Sequence, residues 1–143
     1  MRVKDVLKNK GAAVVTVHPD ATCRALLALL AEHNIGAVVV SNDGVTVGGI
    51  VSERDIVRAL AEGGPEALEQ PVSSCMTRDV QFAAPGDTLD ALLGRMTDRR
   101  IRHLPVCQND RLVGLVSIGD LVKWKISEVE AEAEGLKSYI ATG

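Results

Sequence analysis

The sequence predicts an α/β (α+β) chain of two β-α-β-β-α repeats related by a pseudo-twofold axis, followed by an extended C-terminal helix. Three observations predict it. The stretch Gly49-Ile50-Val51-Ser52-Glu53-Arg54-Asp55-Ile56 returns as Gly114-Leu115-Val116-Ser117-Ile118-Gly119-Asp120-Leu121. Each copy reads Gly, two aliphatics, Ser, two variable residues, Asp, aliphatic, and such internal repetition decides the architecture before any local reading does. The flanking landmarks keep the same spacing: Pro19 and Pro85 are 66 residues apart, Gly49 and Gly114 are 65 apart. The single slip falls in a turn, where insertions and deletions are tolerated. Finally, Val122, Ile126, Val129, Ala133, Leu136 and Ile140 recur at steps of 4, 3, 4, 3, 4, from the last turn of the second repeat onward. The resulting boundaries are 1–62 for the first repeat, 63–71 for the linker, 72–125 for the second repeat and 126–143 for the helical extension.

The first half opens on the amphipathic turn Val3 to Leu7, broken by Lys8-Asn9-Lys10-Gly11. Ala12 to Val17 is β-prone and leads into the turn His18-Pro19-Asp20. Thr22 is placed to cap a helix through Glu32, with Cys23, Leu26, Leu27 and Leu30 on one face. Ala37 to Val40 is a continuous apolar run, expected as a strand buried on both faces. Ser41-Asn42-Asp43-Gly44 signals a hairpin turn, and Val45 to Val51 the return strand. That strand delivers Ser52 and a helix to about Ala61.

The second half repeats the order. Val72 to Met76 matches the opening turn, Val80 to Ala83 the first strand, and Pro85-Gly86-Asp87 the turn. Thr88 caps a helix with Leu89, Leu92, Leu93 and Met96 on one face. Ile101 to Cys107 and Arg111 to Val116 flank the turn Gln108-Asn109-Asp110. One half alone is too small to bury its faces well, so the two are expected to share a core.

Composition narrows the function. Only 2% of the 143 residues are aromatic while 46% are hydrophobic, so Val, Leu, Ile and Ala must fill the interior. A formal charge of −3 offers no overall attraction to nucleic acid or to an anionic membrane. No apolar run approaches the roughly 20 residues of a membrane span, and the N-terminus lacks a signal-peptide core. Cys23, Cys75 and Cys107 are odd in number and widely spaced, which suits reduced thiols in the cytoplasm. No catalytic constellation or metal-ligand spacing stands out, so the chain is expected not to be an enzyme.

Ser52 and Ser117 are good N-caps, because a hydroxyl oxygen can accept a free N–H of the helix start. Glu53, Asp55 and Asp120 lie where the helix dipole favours negative charge. The β-α-β-β-α order, the doubled G-h-h-S-x-x-D-h motif and the strand Arg102-His103-Leu104-Pro105-Val106 together resemble a tandem CBS-domain pair, the Bateman module, over Val3 to Lys125. The resemblance implies binding of an adenosine-containing ligand (AMP, ADP, ATP, NAD or S-adenosylmethionine), with or without Mg²⁺, in the cleft between the halves. It implies that Asp55 and Asp120 each hold a ribose and that Ser52 and Ser117 sit near phosphates. It implies composite pockets: Ser117 and Asp120 with Thr16, Val17, Ile35 and Ala37, and Ser52 and Asp55 with Ala83, Ala84, Ile101 and His103. Arg102 and His103 are expected to point into the cleft, with Arg54 as a third candidate, while Arg99 and Arg100 face solvent at a helix end.

The basic run Asp98 to His103 has no counterpart in the first half, which has Glu32 to Ala37 there. Arg meets phosphate bidentately, so one strong nucleotide site and one weak or empty site are expected. The function expected is a ligand sensor that modulates a client protein or its own homodimer, the C-terminal stripe helping to pair the chains. The alternatives are Ser and Asp acting only as caps, a tail folded back on its own module, and an interaction subunit with a vestigial cleft.

Overall fold

The computed structural model describes residues 1–10 and 14–142. The elements run α1 (Val3–Lys10), β1 (Thr16–Val17), α2 (Cys23–His33), β2 (Ala37–Val40), β3 (Gly49–Ser52), α3 (Glu53–Gly63), α4 (Leu89–Arg99), β4 (His103–Gln108), β5 (Arg111–Ser117) and α5 (Ile118–Thr142). Two short 3-10 turns, Gly64–Glu69 and Val72–Ser74, occupy the linker and the opening of the second half. The order is the expected mixed α+β repeat with a long terminal helix.

The two halves begin and end their first helices the same way. Thr22 Oγ1 accepts from Ala25 N at 3.1 Å and Thr88 Oγ1 from Ala91 N at 3.2 Å. Such a cap satisfies one of the free N–H groups of a helix start. Asn34 and Arg100 end α2 and α4 in the left-handed region, at φ 52° and 55°. Asn tolerates that region, whereas Arg there is uncommon.

β1 pairs parallel with β2, and β2 antiparallel with β3. β4 and β5 form an antiparallel pair. The expected strand Val80 to Ala83 does not form: Ala83 alone bridges Val106. Val80 N turns back to Arg78 O upstream, and Pro85 downstream has no N–H to give. Likewise the return strand begins at Gly49 rather than Val45. Asp43 is the cause. Its carboxylate takes the N–H groups of Val45 (2.8 Å) and Thr46 (2.7 Å), which a ladder would need. Those bonds to Thr46 and Val45 hold its pKa well below the usual carboxylate range. In the second half Asn109 and Asp110 both have positive φ, so a two-residue turn lets β5 run its full length from Arg111. The start of the first expected strand, Ala12 and Ala13, lies outside the described residues.

The opening segments are exchanged between the halves. α1, expected to break at Lys8, continues to Lys10, and its Val3 and Val6 are fully buried among Leu89, Leu92, Met96, Leu104 and Leu121 of the second half. Val72, with Cys75 and Met76, packs in the core of the first half. Burying an aliphatic side chain stabilises by about 1.5–3 kcal/mol, so each opening turn ties the halves together. The motif glycines make room for this. A Cβ at Gly114 would overlap Leu7 Cδ2, and one at Gly49 would lie 2.8 Å from Thr77 O and 2.9 Å from Met76 Sδ. Cys23 is buried as expected, with its Sγ 3.4 Å from that of Cys75, whose thiol pKa is pushed up to about 12 by burial and by that neighbour. Cys107, expected in the core, is only half-buried.

Candidate functional site

In both halves the Ser-x-x-Asp motif closes a reciprocal cap. Ser52 N donates to Asp55 Oδ2 at 2.8 Å while Asp55 N donates to Ser52 Oγ at 3.4 Å. Ser117 N donates to Asp120 Oδ2 at 3.0 Å while Asp120 N donates to Ser117 Oγ at 3.1 Å. The capping function is therefore real in both copies. Among the described residues, every hydrogen bond to these carboxylates goes to Oδ2 and none to Oδ1.

Two clefts flank the junction of the halves, each with a volume of about 390 Å³, within the size range of small-ligand sites. Cleft A holds Ser117 and Asp120 with Ile35, Ala37 and His103, as well as Leu7, Lys10, Val14, Val15 and Leu115. Cleft B holds Ser52, Arg54 and Asp55 with Ile101, Arg102 and His103, as well as Ile50, Arg58, Thr77 and Arg100. His103 and its pseudo-symmetric counterpart Ala37 line both.

Four of the expected residues lie elsewhere. Thr16 and Val17 line neither cleft: they are the paired residues of β1, and Val17 faces the core of the first half. Two positions earlier, Val14 and Val15 take that wall. Ala83 is buried in the core of the second half, and Ala84 N is held in the turn by Asp87 Oδ2 at 2.8 Å. Arg99 and Arg100 are both exposed, as expected, and Arg100 also lines cleft B from its left-handed position.

The clefts differ most in charge. In cleft A, Lys10 Nζ lies 2.7 Å from Asp120 Oδ2 and 2.9 Å from Leu115 O. Burial acts to raise the Asp120 pKa, but Lys10 and the Ser117 N–H outweigh it and hold the carboxyl below its usual value. The equivalent place on β3 is filled by backbone: Thr77 N donates to Ile50 O at 2.8 Å and Ile50 N to Thr77 O at 3.0 Å. Cleft B instead gathers Arg54, Arg58, Arg100 and Arg102 around Asp55 and Glu53. None of the ion pairs among the described residues uses any of these four guanidiniums. Burial, then Lys10, push the His103 pKa below its usual 6.5, so the imidazole is neutral at pH 7 and is not one of the cations.

Lys10 had no signal in local periodicity, because its partner lies 110 residues away. Arg58 had one: it lies four residues from Arg54 and three from Asp55, on the same face of α3.

None of the described helices is long and apolar enough to cross a membrane. Comparison with known proteins agrees with the duplicated fold. The CBS-domain family model matches twice, at residues 3–62 and 72–127. The mitochondrial CBS domain-containing protein CBSX3 of Arabidopsis thaliana is 32% identical over 99% of this chain and 72% of its own length. A CBS-domain protein of Agrobacterium tumefaciens has a crystal structure with TM-score 0.84 and 46% identity, covering 87% of this chain and 99% of that one. The CBS-domain pair of protein MJ0100, crystallised with 5′-methylthioadenosine and S-adenosyl-L-methionine, gives TM-score 0.79 at 25% identity over 90% of this chain and 98% of that one. Two family matches in tandem, laid over two halves that cap, pair and exchange their openings alike, make this chain a member of the CBS-domain family, built as a CBS pair.

Proposed function

We propose that this chain is a non-catalytic regulatory module that binds a phosphate-bearing adenosine ligand (AMP, ADP, ATP or an NAD-type dinucleotide) in cleft B. The observation that carries this is the set of four guanidiniums beside two carboxylates, none of the four in an ion pair among the described residues. Asp55 Oδ1 would accept hydrogen bonds from the two ribose hydroxyls. The base would lie against Ile50 and Ile101, and the phosphates at the mouth, where Arg54, Arg58, Arg100 and Arg102 and the start of α3 favour anions. A pure scaffold has no need to hold four like charges together, since their repulsion costs stability. The ligands of MJ0100 support an adenosine-binding role in general. Cleft A favours a second reading for its own half: Lys10 already occupies Asp120 Oδ2, so a ribose there would share the carboxylate with a resident cation.

Binding alone regulates nothing unless the ligand prefers one of two states of the protein. The output would be a client protein or the pairing of two copies through their C-terminal helices, in a reducing compartment that suits the three thiols.

A thermal-shift panel of AMP, ADP, ATP, NAD, S-adenosylmethionine and 5′-methylthioadenosine, with GTP as control, tests this reading. A ligand at 100 times its Kd stabilises by roughly 2.7 kcal/mol. Selective shifts with the phosphate-bearing adenine compounds are expected. A shift with none of them would leave the interaction subunit as the better reading.

A further inference from the structure

α5 changes character along its length. Ile118, Leu121 and Trp124 pack on the second half, and Lys125 and Glu128 tie the helix to Asp90 and the N-terminus. Every residue from Val129 to Ile140 is exposed. At 100° per residue, the stripe Val122, Ile126, Val129, Ala133, Leu136 and Ile140 lies about a quarter turn from the face that meets the body. Its large members are 44–69% exposed. A helix of this length is marginal in water without a packed face, and nothing in its own chain covers this one among the described residues.

We infer that the stripe is covered by the same helix of a second copy, running parallel and in register. The stripe places Ile126, Ala133 and Ile140 at the a positions of a heptad, with Val122, Val129 and Leu136 at d. The flanking charges choose the direction. In a parallel pair each g residue faces the e residue five positions on in the partner. That opposes Glu132 to Lys137, an attraction made twice by symmetry, while Lys125, which faces Glu130, is already paired with Asp90 and Glu128 of its own chain. In the antiparallel pair that overlaps the same stripe fully, Lys123 meets Lys137, Glu130 meets Glu130 and Glu132 meets Glu132. These three pairs would then repel, and Lys125 would face Tyr139. The intrahelical pair of Lys137 with Glu134, at 3.7 Å and almost fully exposed, is too weak to withhold Lys137.

This deepens the pairing reading above, and the test separates the two. Sedimentation equilibrium of the full chain at low ionic strength is run on the natural sequence, Glu132→Lys, Lys137→Glu and the double variant. The natural chain is expected to be a dimer. Each single change reverses both symmetry-related pairs and is expected to raise the dimer dissociation constant about tenfold. The double variant is expected to restore it. A dimer indifferent to either change would overturn the tail assignment while leaving the pairing of chains intact. Tighter association of Lys137→Glu would overturn the parallel direction, because only the antiparallel pair relieves a Lys–Lys contact. A monomer throughout would overturn both.

Discussion

Cleft A and cleft B are built by the same motif on the same topology, yet one is charge-balanced and the other carries an excess of cations. In cleft A the motif carboxylate has a resident cation, Lys10, and His103 is neutral, so the charges cancel. In cleft B four guanidiniums outnumber two carboxylates, and none of the four is paired. The difference traces to the opening segments. After Met76 the chain stays extended, and Thr77 satisfies the edge of β3 with its backbone. After Leu7 the chain remains helical for another turn, and a lysine side chain reaches the edge of β5 instead. Duplication preserves a fold more readily than a site, because the fold depends on caps and packing that each copy contains. A site depends on a few side chains arriving from elsewhere.

The sharpest way to break the comparison is to remove the motif carboxylates one at a time. Asp55→Ala should lower ATP affinity tenfold or more, since hydrogen bonds to a charged group contribute about 1.5–3 kcal/mol. Asp120→Ala should leave ATP affinity within about twofold. Isothermal calorimetry on both variants checks this, and equal losses would mean that both clefts bind the nucleotide.

The glycines test the packing side of the same asymmetry. At Gly49 a Cβ meets backbone, Thr77 O, whereas at Gly114 the three nearest atoms all belong to the Leu7 side chain. Gly49→Ala should therefore destabilise by about 1–3 kcal/mol, as overpacking does, and Gly114→Ala by less. Urea titration of the two variants decides it, and the reverse order would show that Leu7 is the less yielding neighbour.

Removing the resident cation should bring cleft A toward ligand competence. The Lys10–Asp120 pair is partly exposed and is worth about 1 kcal/mol or less. Lys10→Met should raise adenosine affinity by up to about fivefold, measured by calorimetry. A fall in affinity would identify Lys10 as a ligand contact and not a competitor for Asp120.

The smallest effect concerns pH. The folded His103 pKa is depressed, so the unfolded chain binds more protons as pH falls below about 6.5. The neutral imidazole therefore contributes stability that is present above the unfolded value and lost as pH falls through the folded one. His103→Gln should flatten the melting temperature between pH 7 and pH 5, and an unchanged slope would place the titration elsewhere.

Much of this was legible in the sequence where the physics is local. Thr22, Thr88, Ser52 and Ser117 cap the helices they precede, because a cap involves only residues within one turn. The heptad stripe was visible for the same reason. What local spacing could not show was competition and crossing. Asp43 takes the N–H groups of a strand that its own alternation favoured. Val17 and Ala83 have the residue type of a pocket wall but pack in the cores, because the same apolar side chain suits either place and only the packing of distant elements chooses between them. Arg100 lines cleft B from the left-handed end of α4, which helical periodicity does not describe. Lys10 reaches cleft A only because α1 packs on the other half.

The most direct test of the two-cleft account is a calorimetric titration of the natural chain with ATP and, separately, with adenosine. The account predicts one ATP site per chain, bound at least tenfold more tightly than adenosine, with that preference removed in the Arg58→Ala/Arg102→Ala double variant. Two equivalent ATP sites, or equal affinities for ATP and adenosine, would contradict it.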